Sequence, residues 1–341
     1  MQILVILKIM ILFNKKSFLL IPIFLITILT TNANANANDE FNAWLSNYKT
    51  YALKNGISQK TIDTTFRNVK FLDQVIKYDR KQPEFFEDTI TYVSKRANNS
   101  RIKKAEKLFN SNKKLFEVVE KEFQVDKKVL LALWGIETNF GKHVGKMDII
   151  SCLATLSYDQ RRREFFSSQL LTLLKLVDDK LIDPTTLYGS WAGAFGNFQF
   201  MPSTIKNYAI DYDGNNKIEL KRSLKDALAS AANYINKIGW KNNEPCFYRV
   251  SLNSKINKRY YTNSARKINY RIKLSEWQKK GVVNFDGTKF ESNLNAALIL
   301  PDGNENSPAY LVFGNYEKIL KWNRSLRFGI SVCTLASKIN I

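Results

Sequence analysis

Val129 to Glu137, read as VLLALWGIE, is apolar on every side of a helical turn until its last residue. A helix of that kind has no face to offer water, so other elements must enclose it. Asp126 stands before the run as an N-cap, and Thr138-Asn139-Phe140-Gly141 follows its end. The sequence around it supplies mostly helices. Phe41, Trp44, Leu45 and Tyr48 recur at three- and four-residue intervals, and Ser58 caps a run through Ile62, Phe66 and Val69. Lys103 to Phe123 reads as one helix with Leu108, Leu115, Val119 and Phe123 inward, and further helices are expected over Asp159–Asp178 and Ser223–Lys237. After Trp240 the texture changes. Cys246–Leu252, Lys267–Lys273, Ala296–Leu300 and Ala309–Phe313 read as short strands, with a Pro301-Asp302-Gly303 turn, before helix returns over Tyr316–Ile341. The fold class is therefore mainly α, or α+β, with a small β-rich insertion.

The single acid of the buried helix, Glu137, sits near its C-terminal end. Desolvation and the negative end of the helix dipole both favour the neutral carboxyl and raise its pKa. A carboxylic acid kept protonated at neutral pH is what acid-catalysed cleavage of a glycosidic bond requires. The structural alternative is a buried glutamate paired with an arginine or held by backbone donors. His143 is the only histidine of the chain, so histidine metal clusters are excluded and any triad would run through that one ring. It follows Gly141 in a loop and reads as a surface residue. Cys152, Cys246 and Cys333 show no metal-ligand spacing, and an odd count leaves at least one thiol unpaired or bonded to another chain.

A second segment, Gly189-Ser190-Trp191-Ala192-Gly193-Ala194-Phe195-Gly196-Asn197-Phe198-Gln199-Phe200-Met201-Pro202-Ser203, permits positive φ and close backbone approach. Gln199 offers donor and acceptor together, and Trp191, Phe195, Phe198 and Phe200 could stack on sugar rings. Joined to the Glu137 helix, this loop gains meaning. The segments G-I-E-T-N-F-G at 135–141, A-T-L-S-Y-D at 154–159, the glycine-rich loop at 189–203 and A-N-Y-I-N-K-I-G-W at 232–240 resemble the lytic murein transglycosylase B family, in order, from about Phe41 to Ile341.

That resemblance implies a lysozyme-like core and a lyase acting on peptidoglycan. Such a lyase cleaves the β-1,4 bond between N-acetylmuramic acid and N-acetylglucosamine and leaves 1,6-anhydromuramyl ends. It makes Glu137 the single catalytic acid, then base. Ser190, Gln199, Asn233, Tyr234, Trp322 and Asn323 become glycan-binding residues, Trp322 standing where some members have Tyr. The implied organisation is an N-terminal helical region over 38–126, a catalytic core over 127–240, the β-rich region over 241–313 and a C-terminal helix over 314–341 completing the core. Two other readings stay open: a non-catalytic peptidoglycan-binding scaffold, and a lysozyme-type hydrolase using Asp148 or Asp159 as a second carboxylate. Both aspartates also read as helix caps or ion-pair members, with Arg161, Arg162 and Arg163 beside Asp159.

Within the same resemblance, Asp211, Asp213 and Asn215 occupy positions 1, 3 and 5 of an EF-hand-like loop, with the Lys217 carbonyl at 7. Asn216 replaces the usual Gly, and Arg222 stands at position 12, so Asp226 would have to close the site. The expected chemistry requires no cofactor, and calcium there would be structural; an Asx-rich surface turn is the alternative.

Residues 1–37 carry Lys15 and Lys16, an apolar stretch over Phe18–Leu29, and the A-x-A triplets Ala33-Asn34-Ala35 and Ala35-Asn36-Ala37. They read as a signal peptide directing the chain to the periplasm, or as an N-terminal anchor if retained, which is the one route to a membrane. With no cysteine in that region, a lipid anchor is not expected. The formal charge of +21 favours polyanionic partners or simply reflects a lysine-rich composition. No nucleic-acid motif accompanies it, and the expected partner is the peptidoglycan glycan strand, bound by a monomer.

Overall fold

The computed structural model describes residues 21–81, 86–290 and 292–341, with side chains from residue 38 onward. Residues 1–20, and with them Lys15, Lys16 and the start of the apolar stretch, lie outside the described residues. The A-x-A triplets fall within a first helix, α1 (Ile21–Lys54). Among the described residues no helix is long and apolar enough to cross a membrane.

The chain divides between Ile62 and Asp63 into two compact units. In the first, α1 buries Phe41, Leu45 and Tyr48 along one face, with Trp44 stacked on Phe41 and on Tyr48. Ser58 caps the next helix, α2 (Gln59–Thr65), its Oγ accepting from the Thr61 N–H at 3.3 Å.

The second unit begins with α3 (Asp73–Arg80), α4 (Thr89–Arg96), α5 (Asn99–Ser111), α6 (Lys113–Phe123) and α7 (Lys127–Thr138). The single helix expected over Lys103–Phe123 is two. Asn112, at φ −128°, closes α5 and opens α6. The break resets the helical phase, so Ala105, Phe109, Phe116 and Val119 face inward, while Leu108, Leu115 and Phe123 stay half-buried. Asp126 caps α7 through the Lys128 N–H.

Next come β1 (Met147–Asp148), α8 (Ile149–Tyr158), a 3-10 turn at Gln160–Arg162, α9 (Arg163–Asp178) and β2 (Tyr188–Gly189). The turn takes up residues expected to begin α9. β1 and β2 pair antiparallel, Met147 opposite Gly189. α10 (Pro202–Tyr208) and α11 (Leu224–Lys237) follow, Ser223 capping the latter.

The β-rich region holds β3 (Phe247–Leu252), β4 (Tyr261–Thr262), β5 (Ile272–Lys273), α12 (Leu274–Lys279), β6 (Val282–Asn284), β7 (Asn295–Ile299) and β8 (Ala309–Val312). The sheet runs β4-β7-β8-β3-β6, with β5 also on β7. The strand expected over Lys267–Lys273 shrinks to its last two residues, and β4, β6 and α12 were not legible as periodic runs. Trp277 of α12 is fully buried under this sheet and donates to the Ala296 carbonyl at 2.9 Å.

The last helical stretch is also two helices, α13 (Gly314–Trp322) and α14 (Leu326–Lys338), parted at Asn323–Ser325. α14 packs on α7 and α4, so the C-terminal segment closes the sheath around the buried helix. Buried Tyr316 donates to the Leu326 carbonyl at 2.7 Å and fixes the angle between α13 and α14. Cys246 and Cys333 form a disulfide that ties the entry of β3 to α14, leaving Cys152 as a buried thiol pushed up to about 12 by desolvation.

Candidate active site

α7 is buried from Val129 through Gly135 and surfaces at its start, Lys127 and Lys128, and again at Ile136 and Glu137. It ends in consecutive left-handed residues, Asn139 (φ 50°), Phe140 (φ 60°) and Gly141 (φ 78°). The Asn139 and Phe140 N–H groups thereby return to the carbonyls of Gly135 and Trp134 at 3.1 Å each. A side chain at Gly135 would meet the Phe140 ring at 2.7 Å, so glycine is what lets that ring fold back over the helix. Glu137 stands half-buried in the last turn of the helix, just before this end. The Trp322 indole N–H donates to its Oε1 at 2.9 Å. Lys104 Nζ donates to the Asn139 carbonyl at 2.8 Å and sets a cation at the helix terminus. The dipole the sequence implies for Glu137 is thus partly offset.

The glycine-rich loop packs against the same helix end through Asn197. Its Oδ1 accepts from the Trp134 indole at 3.0 Å, its amide donates to the Leu220 and Lys221 carbonyls, and its own carbonyl accepts from the Thr138 hydroxyl at 2.8 Å. Ser190 Oγ accepts from the Ala192 and Ala194 N–H groups, shaping a tight turn and keeping its O–H to donate. Gly145 has to be bare here, because a Cβ would lie 2.1 Å from the Gly189 carbonyl. Gln199 adopts φ 49°, and its amide nitrogen donates to the carbonyls of Val144 and Gly196. What it can offer a sugar is its carbonyl oxygen.

The aromatics of this loop serve a different purpose from the sugar stacking expected of them. Phe195, Phe198 and Phe200 are 2–3% exposed, because a short antiparallel bridge between Phe195 and Phe200 turns the rings into the core. Phe198 and Phe200 pack edge-on to Trp322, with ring centroids 6.2 and 5.2 Å away. Only Trp191 stays half-exposed, beside Tyr78. On its other side Trp322 stacks on Tyr234 at 5.0 Å, and Tyr234 in turn stacks on Tyr208 at 4.4 Å. Burial pushes the Tyr234 phenol up to about 12, and its O–H donates to the Lys321 carbonyl at 3.0 Å. Asn233 donates to the Tyr208 carbonyl. Both α11 residues therefore brace the wall that holds Trp322. Asn323 lies immediately past the α13 terminus.

The two candidate second carboxylates are engaged elsewhere. Asp148 caps α8 through the Ile150 and Ser151 N–H groups and the Ser151 hydroxyl. Asp159 pairs with Arg80 at 3.0 Å rather than with its sequence neighbours, since Arg161 and Arg162 converge on buried Asp79. His143 is exposed, as its loop position implied.

Apart from this site, carboxylate oxygens of Asp211, Asp213 and Asp226 lie within 4.8 Å of one another. Asp226 is fully buried and accepts from the Tyr212, Asp213 and Glu219 N–H groups, which brings its carboxylate to the cluster. Asn216 takes φ 64°, the conformation usually left to Gly. Asn215 Oδ1 accepts from the Lys217 N–H, and its amide reaches Glu219. A ring of hard carboxylate oxygens on such a loop fits calcium.

The family described as Transglycosylase SLT domain matches residues 40–337. The chain belongs to the lytic murein transglycosylase B-like family. It is 43% identical over 119 residues to membrane-bound lytic murein transglycosylase B of Escherichia coli (strain K12), a match covering 35% of this chain and 33% of that protein. SltB3 from Pseudomonas aeruginosa, in complex with NAG-NAM-pentapeptide, superimposes with a TM-score of 0.79 at 34% identity, over 88% of this chain and 79% of that one. Escherichia coli lytic transglycosylase Slt35 in complex with calcium shares the fold, with a TM-score of 0.73 at 24% identity, over 89% and 93%.

Within this transglycosylase fold, mainly helical and lysozyme-like with a small sheet, Glu137, the glycine-rich loop and Trp322, each singled out in the sequence, come together at one end of α7. Asn197, Lys104 and Tyr208 join them without having been evident from the sequence. Asn197 lies inside the glycine-rich loop, where a polar residue between Gly196 and Phe198 is its one local signal. Lys104 and Tyr208 reach the site only by chain folding.

Proposed function

We propose that this chain is a peptidoglycan lytic transglycosylase that cleaves the β-1,4 bond between N-acetylmuramic acid and N-acetylglucosamine, with Glu137 as its single acid and base. The observation that carries this reading is the indole N–H of Trp322 on Glu137 Oε1. An indole can only donate, so Oε1 is held as an acceptor and the acid proton resides on Oε2. In the first step that proton passes to the glycosidic oxygen as its bond to muramyl C1 breaks. The carboxylate then takes the proton of the muramyl C6 hydroxyl as O6 bonds to C1. One C–O bond replaces another, the proton returns to Glu137, and no water is consumed. Intramolecular attack needs neither a second carboxylate nor a positioned water. Asp148 and Asp159, one a helix cap and the other an ion-pair partner, support that economy over the lysozyme-type route.

Ser190, Gln199 and Asn323 are assigned to the glycan, with Asn233 and Tyr234 supporting Trp322. Calcium at Asp211, Asp213 and Asp226, with help from Asn215 and the Lys217 carbonyl, would neutralise the clustered acids and stiffen the loop ahead of α11. The Cys246–Cys333 disulfide suits an oxidising compartment, and together with the targeting character of residues 1–37 supports a periplasmic location. Mass spectrometry of products released from purified sacculi tests the reaction. Anhydro ends are expected, and products one water heavier would make the enzyme a hydrolase. Glu137→Gln is expected to abolish release while sacculus binding persists; a wild type that binds without releasing muropeptides would be a scaffold.

A further inference from the structure

We infer that the cleft between residues 265–269 and α13 is a binding site for the carboxylates of the peptide stem on the muramyl sugar. This rests on the function proposed above. The cleft encloses about 490 Å³ and is lined by Arg266, Lys321 and Arg324, with Glu317 as its one acid. Glu317 is already neutralised by Arg271. Among the described residues no carboxylate pairs with Arg266, Lys321 or Arg324, and all three are exposed, so the cleft presents an uncompensated positive field.

Its position relative to Glu137 follows from helix geometry. Glu317, Leu320 and Lys321 recur at i, i+3 and i+4 on one side of α13, and Arg324 joins them in the cleft from the extended break that follows the helix. Trp322 leaves the same turn about 100° further round and reaches Glu137. The basic cleft and the acid thus lie on two sides of one helix end, separated by about a helix diameter, roughly 10 Å. An extended peptide advances about 3.3–3.6 Å per residue, so a stem of a few residues on a sugar held near Glu137 spans that gap. SltB3 was captured with a ligand that carries a pentapeptide, which makes such a stem a relevant occupant.

The test compares two uncleavable product ligands, NAG-anhNAM-pentapeptide and stem-free NAG-anhNAM, by calorimetry on the wild type and on the Arg266→Gln/Arg324→Gln variant. The stem is expected to tighten wild-type binding about five- to tenfold, as two solvent-screened ion pairs would. That gain should vanish in the variant and near 1 M salt, where the Debye length is about 3 Å. Binding of the stem-free ligand should be unchanged. Equal affinity for both ligands in the wild type, or a stem preference surviving in the variant, overturns the inference. A parallel loss for both ligands also overturns it, because the arginines would then be supporting the glycan site. Failure of the proposed reaction would show separately, as sacculus digests without anhydro ends while these affinities stand.

Discussion

Replacing Trp322 by Phe removes the indole N–H together with the pyrrole part of the ring system and leaves a single six-membered ring. The ring remains between Tyr234, Phe200 and Phe198, while Glu137 Oε1 loses the donor at 2.9 Å. A hydrogen bond to a charged group contributes about 1.5–3 kcal/mol, and each 1.4 kcal/mol is a factor of ten. The bond matters most once Glu137 has given up its proton, so the loss should fall on kcat, by about 10- to 100-fold, with KM nearly constant. A donor to the carboxyl favours its ionised form. Without it, Glu137 should hold its proton to higher pH, and the alkaline limb of the kcat profile should move upward. Trp322→Tyr, which supplies a hydroxyl donor on a ring, should recover part of the rate. The assay is release of anhydromuropeptides from sacculi between pH 4 and 9, with a melting curve to confirm folding. A Phe variant within twofold of wild type and with an unmoved profile would refute the argument that Trp322 positions the acid.

Asn197→Ala should destabilise the protein by about 1–3 kcal/mol, because it strands the buried Trp134 N–H, while the Leu220 carbonyl keeps the backbone N–H of residue 197; chemical denaturation measures this, and a change under about 0.5 kcal/mol would remove Asn197 as the link between loop and helix. Reducing the Cys246–Cys333 bridge, which closes a loop across a sequence separation of 87, should cost about 4–5 kcal/mol and lower Tm by about 10 °C. A Cys152→Ser control should respond to reductant in the same way. Calcium at a hundredfold excess over its Kd should add about 2.7 kcal/mol, and Asp226→Asn should erase the EGTA-sensitive part of Tm. Tyr234 titrates near 12 when folded and near 10 when unfolded, so its contribution is complete below about pH 10 and lost as pH rises towards 12. Tyr234→Phe should therefore flatten the stability curve over that window.

Residues close in sequence determined most of what could be read in advance. The buried character of Val129–Gly135 follows from its composition, and enclosure by helices follows from the periodic runs on either side. Asp126, Ser58 and Ser223 capped as expected because a cap acts within three residues of itself. Glu137 and the glycine-rich loop were legible for the same reason: a lone acid in an apolar run, and a cluster of glycines, are local signals. Tertiary structure decided what those residues face. The breaks at Asn112 and Asn323–Ser325 interrupt runs whose periodicity looked continuous, and the second of them is what delivers Trp322 to Glu137, 185 residues away. The phenylalanines of the loop looked like sugar platforms, yet a backbone bridge turned them into the wall behind that indole. Asp159 found Arg80 instead of the arginines beside it, and Cys246 found Cys333. In each case the sequence carries the chemistry of one partner, while the partner's identity depends on which surfaces meet when helices pack, information that propensity and spacing do not contain.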